Sequence, residues 1–185
     1  MSNLIGKKRQ ILSEEECFDI IVTFKKHLKT STVISSTPLN KQIRHSKSTF
    51  FESDDINKRL SSRKVRFQFT EYQKTGFYRW HQDNSNGRIV THIISLNKEY
   101  TGGELQLMHW DQEVTIRLNV GESYTFPSEV LHRVQPVLSG VRYSLVGWEV
   151  DQPFDKEESD EPIREKNDKL VALDRMEWKN DWREY

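Results

Sequence analysis

Tyr72-Gln73-Lys74-Thr75-Gly76-Phe77-Tyr78-Arg79-Trp80-His81-Gln82-Asp83-Asn84 is the stretch from which the rest of the chain is read. Its aromatic and β-branched residues predict an extended strand over 77–83, entered through Gly76. Side chains of a strand alternate between faces, so residues two apart point the same way. On that reading His81 and Asp83 aim one imidazole and one carboxylate at a common point, with Gln82 facing away. They are two of the three members of a 2-His-1-carboxylate triad, a ligand set that suits non-haem Fe(II) and leaves coordination positions open.

Downstream of this stretch the texture stays the same. Segments near 65–72, 77–83, 88–96, 104–110, 113–118, 123–126, 130–135 and 141–150 are short, rich in β-branched and aromatic residues, and separated by Asn86-Gly87, Gly102-Gly103, Asn119 to Gly121 and Ser139-Gly140. Eight short strands at that spacing predict a mainly β chain with flanking helices, its core a jelly roll (a double-stranded β-helix) over 65–150. At 185 residues the chain is expected to form one domain.

Upstream, Ser13 and Glu16 form a capping box, and Cys17, Ile20, Ile21, Phe24 and Leu28 repeat at helical spacing, so an amphipathic helix is expected over 14–28 with its apolar face in the core. The Ser/Thr-rich segment 30–38 reads as a loop, 43–51 as a short strand, and Ser53–Leu60 as a short capped helix, so that 14–62 supports the β core. Lys41, Arg44, Lys47, Lys58, Arg59, Arg63, Lys64 and Arg66 gather here. They read as a solvated face or, alternatively, as a rim that steers an anionic partner. Beyond Asp151 lies a charged tail in which Lys169 to Trp182 has a partial helical pattern.

The chain carries 28 basic and 28 acidic residues, so its net charge implies no polyanionic partner. The balance is uneven: residues 151–185 hold 12 acidic against 7 basic, net −5, which leaves a body of net +5. The single cysteine, Cys17, excludes an intrachain disulfide and a cysteine metal site. The first residues lack the apolar run of a signal peptide and no stretch has the length of a membrane span, so a cytoplasmic, reducing setting is expected.

A third ligand is sought on a later strand, and His132, 51 residues after His81, is the candidate; His27, His45, His92 and His109 have no comparable setting. Ten residues further on, alternation places Arg142, Ser144, Val146 and Trp148 on one face of one strand. An arginine pointing into a small barrel needs a partner, since an unpaired buried charge costs several kcal/mol. Either an acidic residue of another strand supplies it, or a carboxylate ligand does, bound bidentately by the guanidinium with Ser144 as a further donor.

Together, His81-X-Asp83, His132 and Arg142-X-Ser144 resemble the Fe(II)/2-oxoglutarate-dependent oxygenases, and within them the prolyl 4-hydroxylase-like branch. Tyr72, Gly76-X-Tyr78, Asn84, the Ile93–Asn97 strand, Tyr100 to Leu105 and Phe126-Pro127-Ser128 support the likeness, which covers about 43–150. The resemblance implies Fe(II) held by His81, Asp83 and His132, both histidines neutral, so that iron affinity falls in acid. It implies 2-oxoglutarate bound by Arg142 and Ser144 with Tyr72 near it, O2 as co-substrate, and ascorbate as reductant. Tyr78, Trp148, Asn84 and Arg88 would face the substrate. At Ser95 some relatives carry a cosubstrate-touching tyrosine; Thr91 or water would fill the space left by serine. The implied substrate is a prolyl residue of a peptide or protein. Oxidative demethylation of nucleic acid, hydroxylation of a free amino acid or other small molecule, and a non-catalytic metal- or ligand-binding barrel remain as alternatives.

Overall fold

A computed structural model describes residues 6–31 and 43–151. The expected helix over Lys169 to Trp182, the loop residues 32–38 and Lys41 lie outside them. Among these described residues fourteen strands form, in the order β1 (Lys7–Gln10), β2 (Lys29–Thr30), β3 (Arg44–His45), β4 (Lys47–Phe51), β5 (Val65–Tyr72), β6 (Phe77–His81), β7 (Arg88–Ser95), β8 (Tyr100–Gly102), β9 (Leu105–His109), β10 (Gln112–Ile116), β11 (Glu122–Pro127), β12 (His132–Val134), β13 (Val137–Gly140) and β14 (Arg142–Val150). The helices are α1 (Glu14–Phe24), continued by a 3-10 turn at Lys25–His27, and α2 (Asp54–Leu60).

A seven-stranded sheet runs β1-β11-β7-β14-β5-β4-β2, and a five-stranded sheet runs β10-β9-β12-β6-β3; β13 and β8 make a separate pair. All the pairings are antiparallel. Residues of both larger sheets line one cavity, which is the jelly-roll arrangement the strand pattern predicts.

The outer face of the seven-stranded sheet packs an apolar core. Phe67 and Phe69 of β5, Ile94 of β7 and Leu145 of β14 are fully buried there with Cys17 of α1, and Ile20, Ile21, Phe24 and Leu28 close over them. The apolar stripe of α1 is therefore core, as its spacing predicts, while Phe18 and Val22 on its other side stay exposed. Helix α1 begins at the expected capping box: Ser13 Oγ accepts from the Glu16 amide at 3.1 Å and Glu16 returns a carboxylate to the Ser13 amide at 2.7 Å. It ends four residues earlier than the apolar spacing suggests, because 25–27 tighten into a 3-10 turn. Burial pushes the Cys17 thiol up to about 11, so it behaves as a small apolar core residue.

Gly147 shows why β14 can lie so close to β5. A Cβ at that position would stand 2.8 Å from Val65 and 3.0 Å from Phe67. Five strands, β1, β2, β3, β8 and β13, are shorter additions at edges and ends that the sequence pattern does not single out, apart from β3, which falls inside the strand expected over 43–51. Among the described residues no helix is long and apolar enough to cross a membrane.

Candidate metal and carboxylate site

Strand β6 and strand β12 pair with His81 opposite His132, so the two imidazoles start from neighbouring backbones of the five-stranded sheet. Their rings lie 4.1 Å apart, centre to centre. Each Nδ1 faces a backbone carbonyl two residues back, His81 to Arg79 at 2.8 Å and His132 to Val130 at 2.9 Å. A carbonyl can only accept, so each Nδ1 donates there, and in the neutral imidazole the Nε2 lone pair is the one turned to the cluster. Burial, and next the neighbouring His132, push His81 down to about 3, leaving it the neutral imidazole that a metal requires.

Asp83 joins them from beyond the end of β6, since the strand stops at His81 rather than continuing to 83. What aims its carboxylate is a set of hydrogen bonds. The Asp83 amide donates to the Ser128 carbonyl at 2.8 Å. Trp148 Nε1 donates to Oδ2 at 2.9 Å and Thr91 Oγ1 donates to the same oxygen at 3.2 Å, itself touching Ser128 Oγ at 2.9 Å. His132 Nε2 lies 3.4 Å from Oδ2 and His81 Nε2 lies 3.6 Å from Oδ1. Burial alone would raise the Asp83 carboxyl, but the adjacent His132, His81 and Trp148 outweigh it and hold the group well below the usual carboxylate range. The three ligand atoms all lie within 4.8 Å of one another, and two imidazoles with one carboxylate are a donor set suited to a divalent transition metal. Gln82 does not turn away as strict alternation predicts: it sits at the cavity edge, its amide donating to the Glu129 carbonyl at 2.6 Å.

The cavity measures about 420 Å³. Its floor is β14, whose alternation is as predicted: Arg142, Ser144, Val146 and Trp148 all line it. Arg142 is 4% exposed, its Nη1 donates to Ser144 Oγ at 3.0 Å, and its guanidinium stands 5.4 Å from the Tyr72 ring centre. Among the described residues no carboxylate pairs with it. The salt-bridge alternative for this arginine is therefore not what the fold builds. Gly103, at φ 66°, lets the chain pass beside it; a Cβ there would stand 3.0 Å from Arg142 Cδ.

Tyr72, Tyr78 and Arg88 also line the cavity. Tyr78 stacks on His81 at 3.5 Å between centres, and Arg88 lies over Trp148 at 4.0 Å. Three other singled-out residues do not line it. Thr91 is fully buried and spends its hydroxyl on Asp83 and Ser128; Ser95 donates to the Asn97 carbonyl at 3.2 Å; Asn84 is exposed. Trp148 is more than a wall, because its indole orients the carboxylate. Arg44, which the sequence offers only within a basic group read as a solvated face or a rim, lines the cavity; Gln68 as a cavity residue and Ser128 as the anchor of Asp83 the sequence does not single out.

Residues 67–149 match the family model described as the 2OG-Fe(II) oxygenase superfamily. A PKHD-type hydroxylase of Prochlorococcus marinus is 42% identical over 86 residues, 43% of this chain and 39% of that protein. One of Idiomarina loihiensis is 32% identical over 127 residues, 60% of this chain and 58% of that protein. The chain thus spans about two fifths to three fifths of the length of these curated relatives. In fold it is similar to a Pseudomonas putida prolyl-4-hydroxylase, with TM-score 0.66 and 21% identity over 80% of this chain and 94% of that one. It is also similar to a Trichoplax adhaerens prolyl hydroxylase solved with a hypoxia inducible factor peptide, with TM-score 0.64 and 19% identity over 80% of this chain and 84% of that one.

Proposed function

We propose, starting from the match of residues 67–149 to the 2OG-Fe(II) oxygenase superfamily, that this chain is an Fe(II)- and 2-oxoglutarate-dependent dioxygenase of that family that hydroxylates an unactivated C–H, with a prolyl residue of a peptide or protein as the target. The observation that carries this reading is the sharing of one cavity by the His81, Asp83 and His132 cluster and a buried Arg142 without a carboxylate partner. The prolyl target is supported by the prolyl hydroxylases among the structural neighbours, one of them holding a peptide.

His81 and His132 would hold the metal through Nε2, fixed in that tautomer by the Arg79 and Val130 carbonyls. Asp83 would complete the set through the carboxylate that Trp148 and Thr91 orient. Arg142 would take the distal carboxylate of 2-oxoglutarate. Ser144 accepts from Arg142, so its own proton is available to the same carboxylate. With these groups bound, the metal and cosubstrate supply the chemistry that turns C–H into C–OH with O2, as 2-oxoglutarate leaves as succinate and CO2. The chain's part is to orient the reactants and exclude water, which the buried floor of β14 does. A cytoplasmic setting, with ascorbate as reductant, would keep the iron ferrous.

The test is succinate release by the purified protein with Fe(II), 2-oxoglutarate and ascorbate, with and without proline-containing peptides. Turnover that requires iron, rises with peptide, and falls at least about tenfold in Arg142→Ala with a raised KM for 2-oxoglutarate is the expected result. Failure of every peptide to raise succinate release would overturn the prolyl reading.

A further inference from the structure

The cavity contains a second buried arginine that the proposed chemistry leaves unused. Arg44 of β3 is 8% exposed and lines the cavity from the five-stranded sheet, across from β14. Its Nε donates to Ser46 Oγ at 2.7 Å and its Nη2 to Gln68 Oε1 at 3.1 Å, while its guanidinium lies 4.7 Å from the Tyr78 ring centre. Among the described residues no carboxylate pairs with Arg44, Nη1 has no hydrogen-bond partner, and neither does the amide nitrogen of Gln68.

This arrangement holds the guanidinium without neutralising it. Ser46 is tied to Ser31 at 2.9 Å, and Ser31 to Ser48 at 2.9 Å, so a row of hydroxyls fixes Nε from behind. A buried charge kept in hydroxyl and amide contacts alone costs several kcal/mol that an anion would offset. Glu71 shows what the same fold does when a buried charge is structural. It is 3% exposed and receives Tyr143 Oη at 3.1 Å, Gln73 Nε2 at 2.9 Å and Lys47 Nζ at 3.7 Å.

Charge around the cavity points the same way. Among the described residues Lys29, Arg44, Arg88 and Arg142 line it, and Asp83 is the only carboxylate that does. A divalent metal adds two positive charges, and one dicarboxylate cosubstrate at Arg142 leaves the lining positive. Position matters too: Tyr78, which carries the Arg44 guanidinium on its ring, stacks on His81 at 3.5 Å. A group held by Arg44 is thus one aromatic layer away from a metal ligand.

We infer that Arg44 and Gln68 receive a carboxylate of the substrate, so that the oxidised C–H lies within a few bonds of that group. The inference rests on the proposed oxygenase reading and narrows its substrate. The fork of Arg44 and the free amide of Gln68 supply donors to both carboxylate oxygens. Two sources share this chemistry: the α-carboxylate of a free imino or amino acid, and an acidic side chain beside the target residue of a peptide.

The experiment is calorimetric titration of the full chain loaded with Mn(II), with and without 2-oxoglutarate, against two matched pairs of probes. One pair is L-proline and L-prolinamide; the other is the capped peptides Ala-Pro-Glu-Ala and Ala-Pro-Gln-Ala. In one pair the carboxylate member should bind about tenfold or more tightly than its neutral match, and that pair identifies the source. Arg44→Gln should shrink the preference to about twofold or less, and Arg44→Lys, which keeps the charge but not the fork, should fall between. Equal binding within both pairs by the unaltered protein overturns the inference without any variant, and so does a preference that survives Arg44→Gln. A loss of 2-oxoglutarate affinity in place of the probe preference would also overturn it, by moving Arg44 to the cosubstrate. The broader reading fails separately, if 2-oxoglutarate binds no differently to Arg142→Ala; the probe pairs run without cosubstrate still report on Arg44.

Discussion

The two faces of β14 obey one alternation and meet opposite demands. On the outer face Tyr143, Leu145 and Gly147 pack against β5 and the α1 layer, where shape is what counts. On the inner face Arg142, Ser144 and Trp148 are as deeply buried, yet each ends in a polar group aimed into the cavity or at Asp83. One face lowers the free energy of the fold by removing apolar surface from water. The other holds polar groups that either orient Asp83, as Trp148 does, or, as Arg142 does, lack a carboxylate partner. Burial alone does not separate core from site; the mark of the site is the Arg142 guanidinium, buried with no carboxylate partner among the described residues.

Substitutions on either face should therefore part stability from binding. The largest effect is expected outside. Leu145 is fully buried, and Leu145→Ala should lower unfolding free energy by about 2–5 kcal/mol in urea titration, from lost transfer energy plus the cavity left behind. Its bound-metal affinity, measured where the variant is still folded, should change little. The inner counterpart is smaller and opposite in kind. Trp148→Phe keeps most of the ring and deletes the 2.9 Å bond to Asp83, so metal affinity should fall about 10- to 100-fold while the urea midpoint moves little. If both substitutions moved both quantities alike, the division between the two faces would be wrong.

The part of this division carried by long regular strands was legible in the sequence. Alternation over Arg142, Ser144, Val146 and Trp148 is a local property of one strand and survives folding intact. The capping box of α1 is likewise local, and so was read correctly. What failed depends on distant neighbours. Asp83 reaches the cluster without the strand that alternation assumed, because the Ser128 carbonyl and the Trp148 indole, far along the chain, set its direction. Thr91 was assigned to the cosubstrate side, yet its hydroxyl is claimed by Asp83 and Ser128. Arg44 sat in a basic stretch that reads as a solvated face, and it is buried only because a two-residue strand pairs with β6 beneath Tyr78. No periodicity marks a strand that short. The lone clue was charge placed beside a site, the rim alternative for the same cluster of basic residues.

Anaerobic calorimetric titration with Fe(II) reads out whether His81, Asp83 and His132 form one metal site. The unaltered protein should take up one equivalent. Asp83→Ala and His132→Ala should each abolish that uptake while their circular dichroism stays that of the parent, since all three side chains meet at one point. Full-strength binding of one equivalent by either variant would contradict the account.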